Sequence, residues 1–370
     1  MQVLVTGANG FIAKNLVAHL RRREGTGVIE ITRASTPEEL ERGVAQSDFV
    51  FHLAGVNRPL DADEFRVGNV EFTRRLCQLL LAGGRKTPVL LTSSTQATAD
   101  NPYGVSKRAA EELLLEYGRA TGAPTYLYRL PNVFGKWCRP DYNSAVATFC
   151  HRIARDEPIR IDNPAAPLTL VYVDDVVSCF LAALEGRVES GAGCAVEPQY
   201  SLTVGELADQ LRAFRASRGS LVTEQVGVGL GRALYATYVS ALPPRLFAYQ
   251  VPKYEDPRGV FVEMLKTKDS GQFSFFTAHP GVTRGGHYHH TKTEKFLVIK
   301  GQARFRFRHL MSGEFHELDT SGDKPEIVET IPGWAHDITN VGSEEMIVML
   351  WANEIFDRGR PDTYTAPVTP

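Results

Sequence analysis

The chain has 370 residues, of which 43% are hydrophobic and 23% charged, and a formal net charge of -2. That length exceeds one ordinary core and fits two domains, and the composition is that of a soluble globular protein. The near-neutral balance excludes a general attraction to nucleic acid or to an anionic membrane surface, so any anionic ligand must be held by local groups.

The opening MQVLVTGANGFIAKNLV lacks a basic leading segment, and Thr6, Gly7, Asn9 and Gly10 break its apolar run. It reads as a strand and a helix start, with no signal peptide. No stretch approaches the ~18 apolar residues of a membrane span, so no membrane insertion is expected. The five cysteines, Cys77, Cys138, Cys150, Cys179 and Cys194, form no CxxC pair. An odd, scattered set predicts reduced thiols and a cytoplasmic location.

Up to about residue 185, the apolar runs QVLVTG, GVIEIT, DFVFHLAG and PVLLTSS alternate with helix-like segments such as FIAKNLVAHLRRR and NVEFTRRLCQLLLAGG. That alternation predicts an α/β domain, a doubly wound parallel sheet of Rossmann type. Within it, Gly7 and Gly10 form a strand-to-helix turn, and Asn9, Phe11 and Ile12 bring their backbone to the same place. Close backbone approach with amides pointing outward is how a pyrophosphate is bound. Leu53, Ala54 and Gly55 end a second strand suited to lining a dinucleotide. The second strand runs into ITRAST without an acid, and Arg33 stands where a 2'-phosphate needs a cation, which favours NADPH over NADH.

NPYGVSKRAAEELLLEYG carries the catalytic signal. Tyr103 and Lys107 are four apart at a helix start and share a face. A tyrosine of pKa ~10 is a poor acid, and an adjacent ammonium stabilises its phenolate, so the pair makes a positioned proton donor for a carbonyl that receives hydride. Upstream, LLTSSTQAT places Ser93 and Ser94 at a strand end, ready to bond the same oxygen.

Past SALPPRLFAYQVPKYEDPRG the texture changes to short alternating strands, GVFVEML, QFSFFTAH, EKFLVIKGQARFRFRH, EIVETI and EEMIVMLWAN. These predict a small antiparallel barrel or sandwich. The boundary is placed near Leu242, giving domains 1–242 and 243–370. Seven of the ten histidines lie beyond it. His287 and His289 share a strand face by the period of two, a turn through HTKT is expected to return Glu294 on the neighbouring strand, and IPGWAHDITN offers His336. Three imidazoles and a carboxylate suit a divalent metal such as zinc, iron, manganese or nickel. His279, His309 and His316 read as packing or surface residues, and His290 and Lys292 as turn residues.

Residues 1–240 resemble the extended short-chain dehydrogenase/reductase family, through Gly7 and Gly10, HLAG at 52–55, Asn69, Ser94, Tyr103, Lys107, RLPNVFG at 129–135 and YVDDVV at 172–177. The resemblance implies a nucleotide-sugar substrate with Asn132 beside it. Sugar 4,6-dehydratases of that family carry an Asp-Glu pair where Thr95 and Gln96 stand here, which argues against dehydration. Residues 250–365 resemble the cupins. DPRGVFVE and VTRGGHY further resemble sugar-nucleotide 3,5-epimerases, which implies that Arg258 and Arg284 contact diphosphate or sugar. In those epimerases the histidine matching His287 is a base; the complete HxH and Glu set favours a ligand here.

The whole order, through RGGHYHHTKTEKFLVIKG and ALYATYVSALP, resembles bifunctional capsular-polysaccharide and O-antigen enzymes of the CapF/WbjC type. That resemblance implies a zinc-bearing homodimer acting on a UDP-4-keto-6-deoxy-amino sugar. It further implies that the cupin epimerises C3 and that the first domain reduces C4 with NADPH to UDP-2-acetamido-2,6-dideoxy-L-talose, in the pathway to UDP-N-acetyl-L-fucosamine. A second reading stays open, a 4-keto-sugar reductase whose cupin is structural or dimerising.

Overall fold

Each of the first four apolar runs forms a strand, and the alternation of its side chains fills two cores. In chain order the elements are β1 (Gln2–Thr6), α1 (Phe11–Leu20), β2 (Gly27–Ile31), α2 (Pro37–Gln46), β3 (Phe49–His52) and a short α3 (Asp63–Phe65) that runs through a wide turn into α4 (Phe72–Ala82). There follow β4 (Val89–Ser94), α5 (Pro102–Thr121), β5 (Thr125–Leu130), β6 (Asn132–Phe134), α6 (Ala145–Ile153), β7 (Pro167–Tyr172), α7 (Val173–Leu184), β8 (Gly191–Cys194), β9 (Gln199–Thr203), α8 (Val204–Ser220), β10 (Val222–Thr223) and α9 (Gly229–Ser240). This computed structural model describes every residue except Leu60, Ala62, 257–258, 263–264, 268–270, 355–358 and Pro370. It divides into two compact units, residues 1–144 with 168–201, and 145–167 with 202–370.

In the first unit a six-stranded sheet runs in the order β2-β1-β3-β4-β5-β8, with every neighbouring pair parallel. Val3, Val5, Phe49, Phe51 and Leu90 pack on one face with residues of α1 and α7. Leu4, Val50, Val89 and Leu91 pack on the other with residues of α2, α4 and α5. Both faces are covered, which is why these strands read as unbroken apolar runs. The chain leaves β1 for β2 on one side and returns to β3 on the other, so the strand order reverses between β1 and β3. That crevice, at the carboxyl ends of the strands, is where open α/β sheets bind ligands.

The second unit continues with β11 (Ala248–Gln250), β12 (Lys253–Asp256), β13 (Gly259–Val262), β14 (Lys266–Thr267), β15 (Gln272–Ala278), β16 (Thr283–Tyr288), β17 (Glu294–Lys300), β18 (Gln302–His309), β19 (Phe315–Ser321), β20 (Glu326–Glu329), β21 (Trp334–Asn340), β22 (Met346–Ala352) and β23 (Tyr364–Thr365). Two five-stranded antiparallel sheets, β11-β20-β17-β22-β15 and β19-β18-β21-β16-β23, form an all-β, cupin-like architecture. The run EKFLVIKGQARFRFRH, read as one strand, is two. Gly301 stands between them at φ 89°, where an added Cβ would lie 3.0 Å from the Met346 Cα. Along β18, Ala303, Phe305 and Phe307 are buried, while Arg304 pairs with Asp319 at 2.8 Å and Arg306 with Asp337 at 2.7 Å.

A buried charge cluster fixes β17 and β20 against α8. Glu329 pairs with both Arg218 and Lys295, and the Arg218 guanidinium lies 4.1 Å from the Tyr249 ring centroid. Burial works to raise the Glu329 carboxyl, but the two cations outweigh it and hold it below its ordinary value. None of the five cysteines is in a disulfide. Among the described residues, no helix is long and apolar enough to cross a membrane.

Candidate functional site

At the crevice of the parallel sheet, the turn from β1 into α1 is shaped by Gly7, whose φ is 67°. A Cβ there would meet the Ala54 Cα at 2.7 Å, so the glycine turn and the Leu53–Gly55 segment are pressed together backbone to backbone. The Ala54 N–H donates to Thr6 Oγ1 at 3.2 Å, which locks the contact. Gly10 caps α1 without any side-chain hydrogen bond, and no acid stands in the first turn. Asn9 and Gly10 are exposed, and Phe11 and Ile12 are half-buried. The helix therefore begins with amides that no side chain satisfies, and a dinucleotide pyrophosphate fits that place. Gly7→Ala should lose at least about 1–2 kcal/mol through the positive φ alone. A lower thermal midpoint and weaker dinucleotide binding, read by fluorescence titration, would show it.

Arg33 lies exposed in the turn after β2, two residues beyond Ile31, whose carbonyl accepts the Ala8 N–H at 3.1 Å. The end of β2, which leads into Arg33, thus lies alongside the glycine turn. His52 at the end of β3 is fully buried between Thr6 at 2.7 Å and Thr73 at 2.8 Å. Burial, with a smaller push from the Lys107 charge, lowers its pKa to about 3, so the ring is neutral.

The helix α5 starts where its sequence says it should. Asn101 accepts the Gly104 N–H at 2.8 Å, Pro102 follows the cap, and Gly122 ends the helix at φ 70°. Gly104 is in close contact with the preceding loop, since a Cβ there would fall 2.3 Å from the Gln96 carbonyl. This docking brings Tyr103 to the end of β4, beside the Ser94 hydroxyl. Burial pushes the phenol above its ordinary value, and the Ser94 hydroxyl opposes that rise. Lys107, one turn on, is buried and donates to the Thr92 carbonyl at 2.6 Å. Burial brings its ammonium down to about 8, against the pull of Glu111. Ser93 faces the other way and donates to Glu111, which Arg129 grips with both arms at 2.9 and 2.6 Å. Only Ser94 of the serine pair therefore meets Tyr103. Asn69, buried beneath Gly55, ties the segment to α5 through Val56 at 2.7 Å and Ser106 at 2.9 Å.

The second constellation lies in the β unit. Gly285 and Gly286, at φ 99° and 70°, build a bulge in β16 that shifts its register against β21 and sets His287 opposite His336. At Gly285 a Cβ would meet the His336 carbonyl and the Asp337 Cα at 2.9 Å, so only glycine fits. The rings of His287 and His336 are 4.8 Å apart, and His289 lies 5.1 and 5.2 Å from them. Tyr288 turns to the opposite face, into a small core with Ala335 and Val368. Glu294 departs from expectation. It begins β17, which pairs with β20 and β22, so it comes from the other sheet rather than from a strand beside β16. The Thr293 N–H on Asn353 at 2.9 Å and the Glu294 N–H on Thr330 at 3.0 Å hold that crossing.

One nitrogen or oxygen from each of His287, His289, Glu294 and His336 lies within 4.8 Å of the others. His289 Nδ1 meets the Asp362 carbonyl at 2.6 Å. A carbonyl only accepts, so Nδ1 carries a hydrogen and Nε2 is the nitrogen left to face the cluster. It lies 3.1 Å from Glu294 Oε2, a contact that a proton or a cation between the two atoms stabilises. Among the described residues neither nitrogen of the buried His336 ring finds a hydrogen-bond partner, and Glu294 Oε2 lies 3.6 Å from its Nε2. Burial lowers the pKa of His336, and burial with the neighbouring imidazoles lowers that of His287 to about 4. Burial alone would raise Glu294, yet His289 and His336 hold it well below the carboxylate range. Three clustered imidazoles, an ionised carboxylate and the two unbonded ring nitrogens of His336 fit a divalent cation.

Two family models match this chain. One, the NAD dependent epimerase/dehydratase family, covers residues 3–196. The other, the polysaccharide biosynthesis C-terminal domain, covers residues 254–364. A Pseudomonas aeruginosa protein named UDP-2-acetamido-2,6-beta-L-arabino-hexul-4-ose reductase is 61% identical over 368 residues, spanning 100% of this chain and 99% of that one. The chain belongs to the NAD dependent epimerase/dehydratase family. It shares its full length with the structure of the capsular polysaccharide assembling protein CapF from Staphylococcus aureus, at 42% identity and a TM-score of 0.69, with 100% of both chains covered. A UDP-glucuronic acid 4-epimerase from Bacillus cereus, at 20% identity and a TM-score of 0.51 over 60% of this chain and 84% of that one, shares the fold alone.

As a member of the epimerase/dehydratase family the protein is a nicotinamide-dependent enzyme. The structure brings together Gly7, Gly10 and Ala54 in one place, Ser94, Tyr103 and Lys107 in a second, and the four metal-type ligands in a third. It leaves Asn132 exposed on β6, donating to the Thr169 carbonyl at 3.1 Å. Arg284 is exposed on β16, 5.2 Å from the Phe276 ring centroid. Arg258 lies outside the described residues. Asp362, which grips the ligand turn, was not read from the sequence. Nothing in RGRPDTYTAP marks it, because its partners lie about seventy residues upstream.

Proposed function

We propose that the protein is a bifunctional nucleotide-sugar enzyme. Residues 243–370 epimerise C3 of UDP-2-acetamido-2,6-dideoxy-L-arabino-4-hexulose. Residues 1–242 then reduce the C4 ketone with NADPH to UDP-2-acetamido-2,6-dideoxy-L-talose, in the pathway to UDP-N-acetyl-L-fucosamine. The observation that carries the reading is that one chain, matched over its full length by a relative named as that keto-sugar's reductase, holds both a hydroxyl-phenol-ammonium set and a buried three-histidine, one-glutamate set. The same reading, as the sequence resemblance implies, makes the protein a zinc-bearing homodimer in the cytoplasm.

In the parallel-sheet unit the backbone of Asn9 to Ile12 cradles the dinucleotide pyrophosphate, with the Phe11 and Ile12 amides at the start of α1 directed to it, Leu53, Ala54 and Gly55 beside it and Arg33 placed for a 2'-phosphate. The bound nicotinamide supplies hydride to C4. Tyr103 gives the proton to the ketone oxygen as that oxygen gains charge, and Ser94 hydrogen-bonds it. Lys107, still an ammonium at neutral pH with its pKa of about 8, stabilises the phenolate that Tyr103 leaves behind. Asn132, Arg258 and Arg284 are assigned to the sugar nucleotide. His287, His289, Glu294 and His336 hold the divalent cation, which supplies a Lewis acid for the same carbonyl. The C3 proton is acidic only while C4 is a ketone, so epimerisation precedes reduction.

NADPH oxidation should depend on the UDP-4-keto-6-deoxy-HexNAc, and its absence with that substrate would sink the reading. Arg33→Ala should raise KM for NADPH roughly tenfold while leaving KM for NADH unchanged, the loss of one charge-assisted contact. Steady-state assays with both cofactors check this.

A further inference from the structure

The stretch that carries the metal-type ligands leaves β16 at Tyr288 and does not re-enter a strand until Glu294. Metal centres need donors held in place before the ion arrives, and a five-residue turn between two sheets does not supply that by itself. The support comes from the far end of the chain. One Asp362 carboxylate oxygen accepts the His290 N–H at 2.9 Å; the other accepts the Thr291 N–H at 2.8 Å, the Lys292 N–H at 2.7 Å and the Thr291 hydroxyl at 3.0 Å. The carbonyl of the same residue accepts His289 Nδ1–H at 2.6 Å. Asp362 does this from a left-handed backbone conformation, φ 37°. The segment around it is anchored in turn. The Lys292 ammonium donates to the Pro361 carbonyl at 3.2 Å and to Thr363 Oγ1 at 2.7 Å, and Tyr364–Thr365 pairs with Tyr288 and His287 in the sheet.

We infer that Asp362 is the positioning residue of the cation centre: its carboxylate gathers the amides of the His290–Lys292 turn, and its carbonyl fixes His289 in the tautomer that presents Nε2 to the ion. The inference rests on the reading of His287, His289, Glu294 and His336 as metal ligands. Three consecutive amides and a hydroxyl converging on one carboxylate hold the backbone between two ligands, so the distance from His289 to Glu294 is set by Asp362. The carbonyl bond selects which ring nitrogen donates to the ion. Both effects act on affinity and geometry, and neither touches substrate.

The test uses the full-length protein, stripped of metal and titrated with Zn²⁺ against a chromophoric chelator, with Co²⁺ as a spectroscopic probe. The wild type should bind one equivalent tightly. Asp362→Ala should bind about 10–100-fold more weakly, the range seen when outer partners of a metal ligand are removed. Its Co²⁺ absorption should shift or broaden. Asp362→Asn keeps an acceptor for some of the amides and should fall between the two. Amide hydrogen exchange of the metal-free protein, read on the peptide spanning 286–294, should quicken in Asp362→Ala, while unchanged NADPH binding shows that the rest of the chain is folded. Asp362→Ala that binds Zn²⁺ as tightly as the wild type, with the same Co²⁺ spectrum, overturns the inference. A wild type that takes up no Zn²⁺, with exchange still quickened by Asp362→Ala, overturns the metal reading itself and reduces Asp362 to a turn anchor.

Discussion

Tyr103→Phe should lower the rate of keto-sugar-dependent NADPH oxidation about 10²–10⁴-fold, the usual worth of a positioned proton donor. Dinucleotide affinity should stay as it is, because the substitution removes one oxygen and leaves the ring that packs 5.7 Å from Phe65. A buried phenol keeps its proton until the developing charge on the ketone oxygen takes it. Stopped-flow or steady-state absorbance at the NADPH band measures the loss. A variant that kept most of its rate would mean that another group delivers the proton.

The second large effect is expected in the other unit. His287→Ala removes one of four donors from a buried cluster whose remaining members are His289, Glu294 and His336. Metal content should drop, and exchange of the C3 proton should fall about 10²-fold or more with the loss of Lewis-acid stabilisation. Reduction of a C3-epimerised keto-sugar, assayed separately, should persist. That pattern separates an epimerising centre from a scaffold, since a scaffold residue would leave exchange unchanged. Metal analysis and proton NMR of the sugar read the two halves of the prediction.

Much of this was legible in the chain because the signals were local. The strand runs of the parallel sheet, the glycine turn, and the spacing of Tyr103 to Lys107 each depend on neighbours within a few residues, so period and caps are enough to read them. His287, His289 and Glu294 were legible by the same token, whereas His336 stands far downstream and was read from a separate stretch, IPGWAHDITN. The sheet membership of Glu294 was not. A turn of a few residues after a strand ordinarily makes a hairpin in the same sheet, and here it crosses to the second sheet because Asn353 and Thr330 catch its backbone. The role of the glycine pair 285–286 was also hidden. Two glycines before a histidine mark flexibility in sequence terms, whereas the bulge they form, which sets His287 against His336, is visible only once β21 is in place. By position alone Ser93 and Ser94 were equivalent, and the family resemblance singled out Ser94; in the structure Ser93 is turned to the buried Glu111, which leaves Ser94 on the side of Tyr103.

The account stands or falls on whether one ketone serves both units. Incubation of the full-length, zinc-loaded protein with the UDP-4-keto-6-deoxy-HexNAc in deuterium oxide, without NADPH, tests this most directly. The account predicts deuterium at C3, read by NMR or mass spectrometry, before any reduction has taken place. Retention of the C3 proton under those conditions, in a protein that still reduces the ketone once NADPH is added, would contradict it.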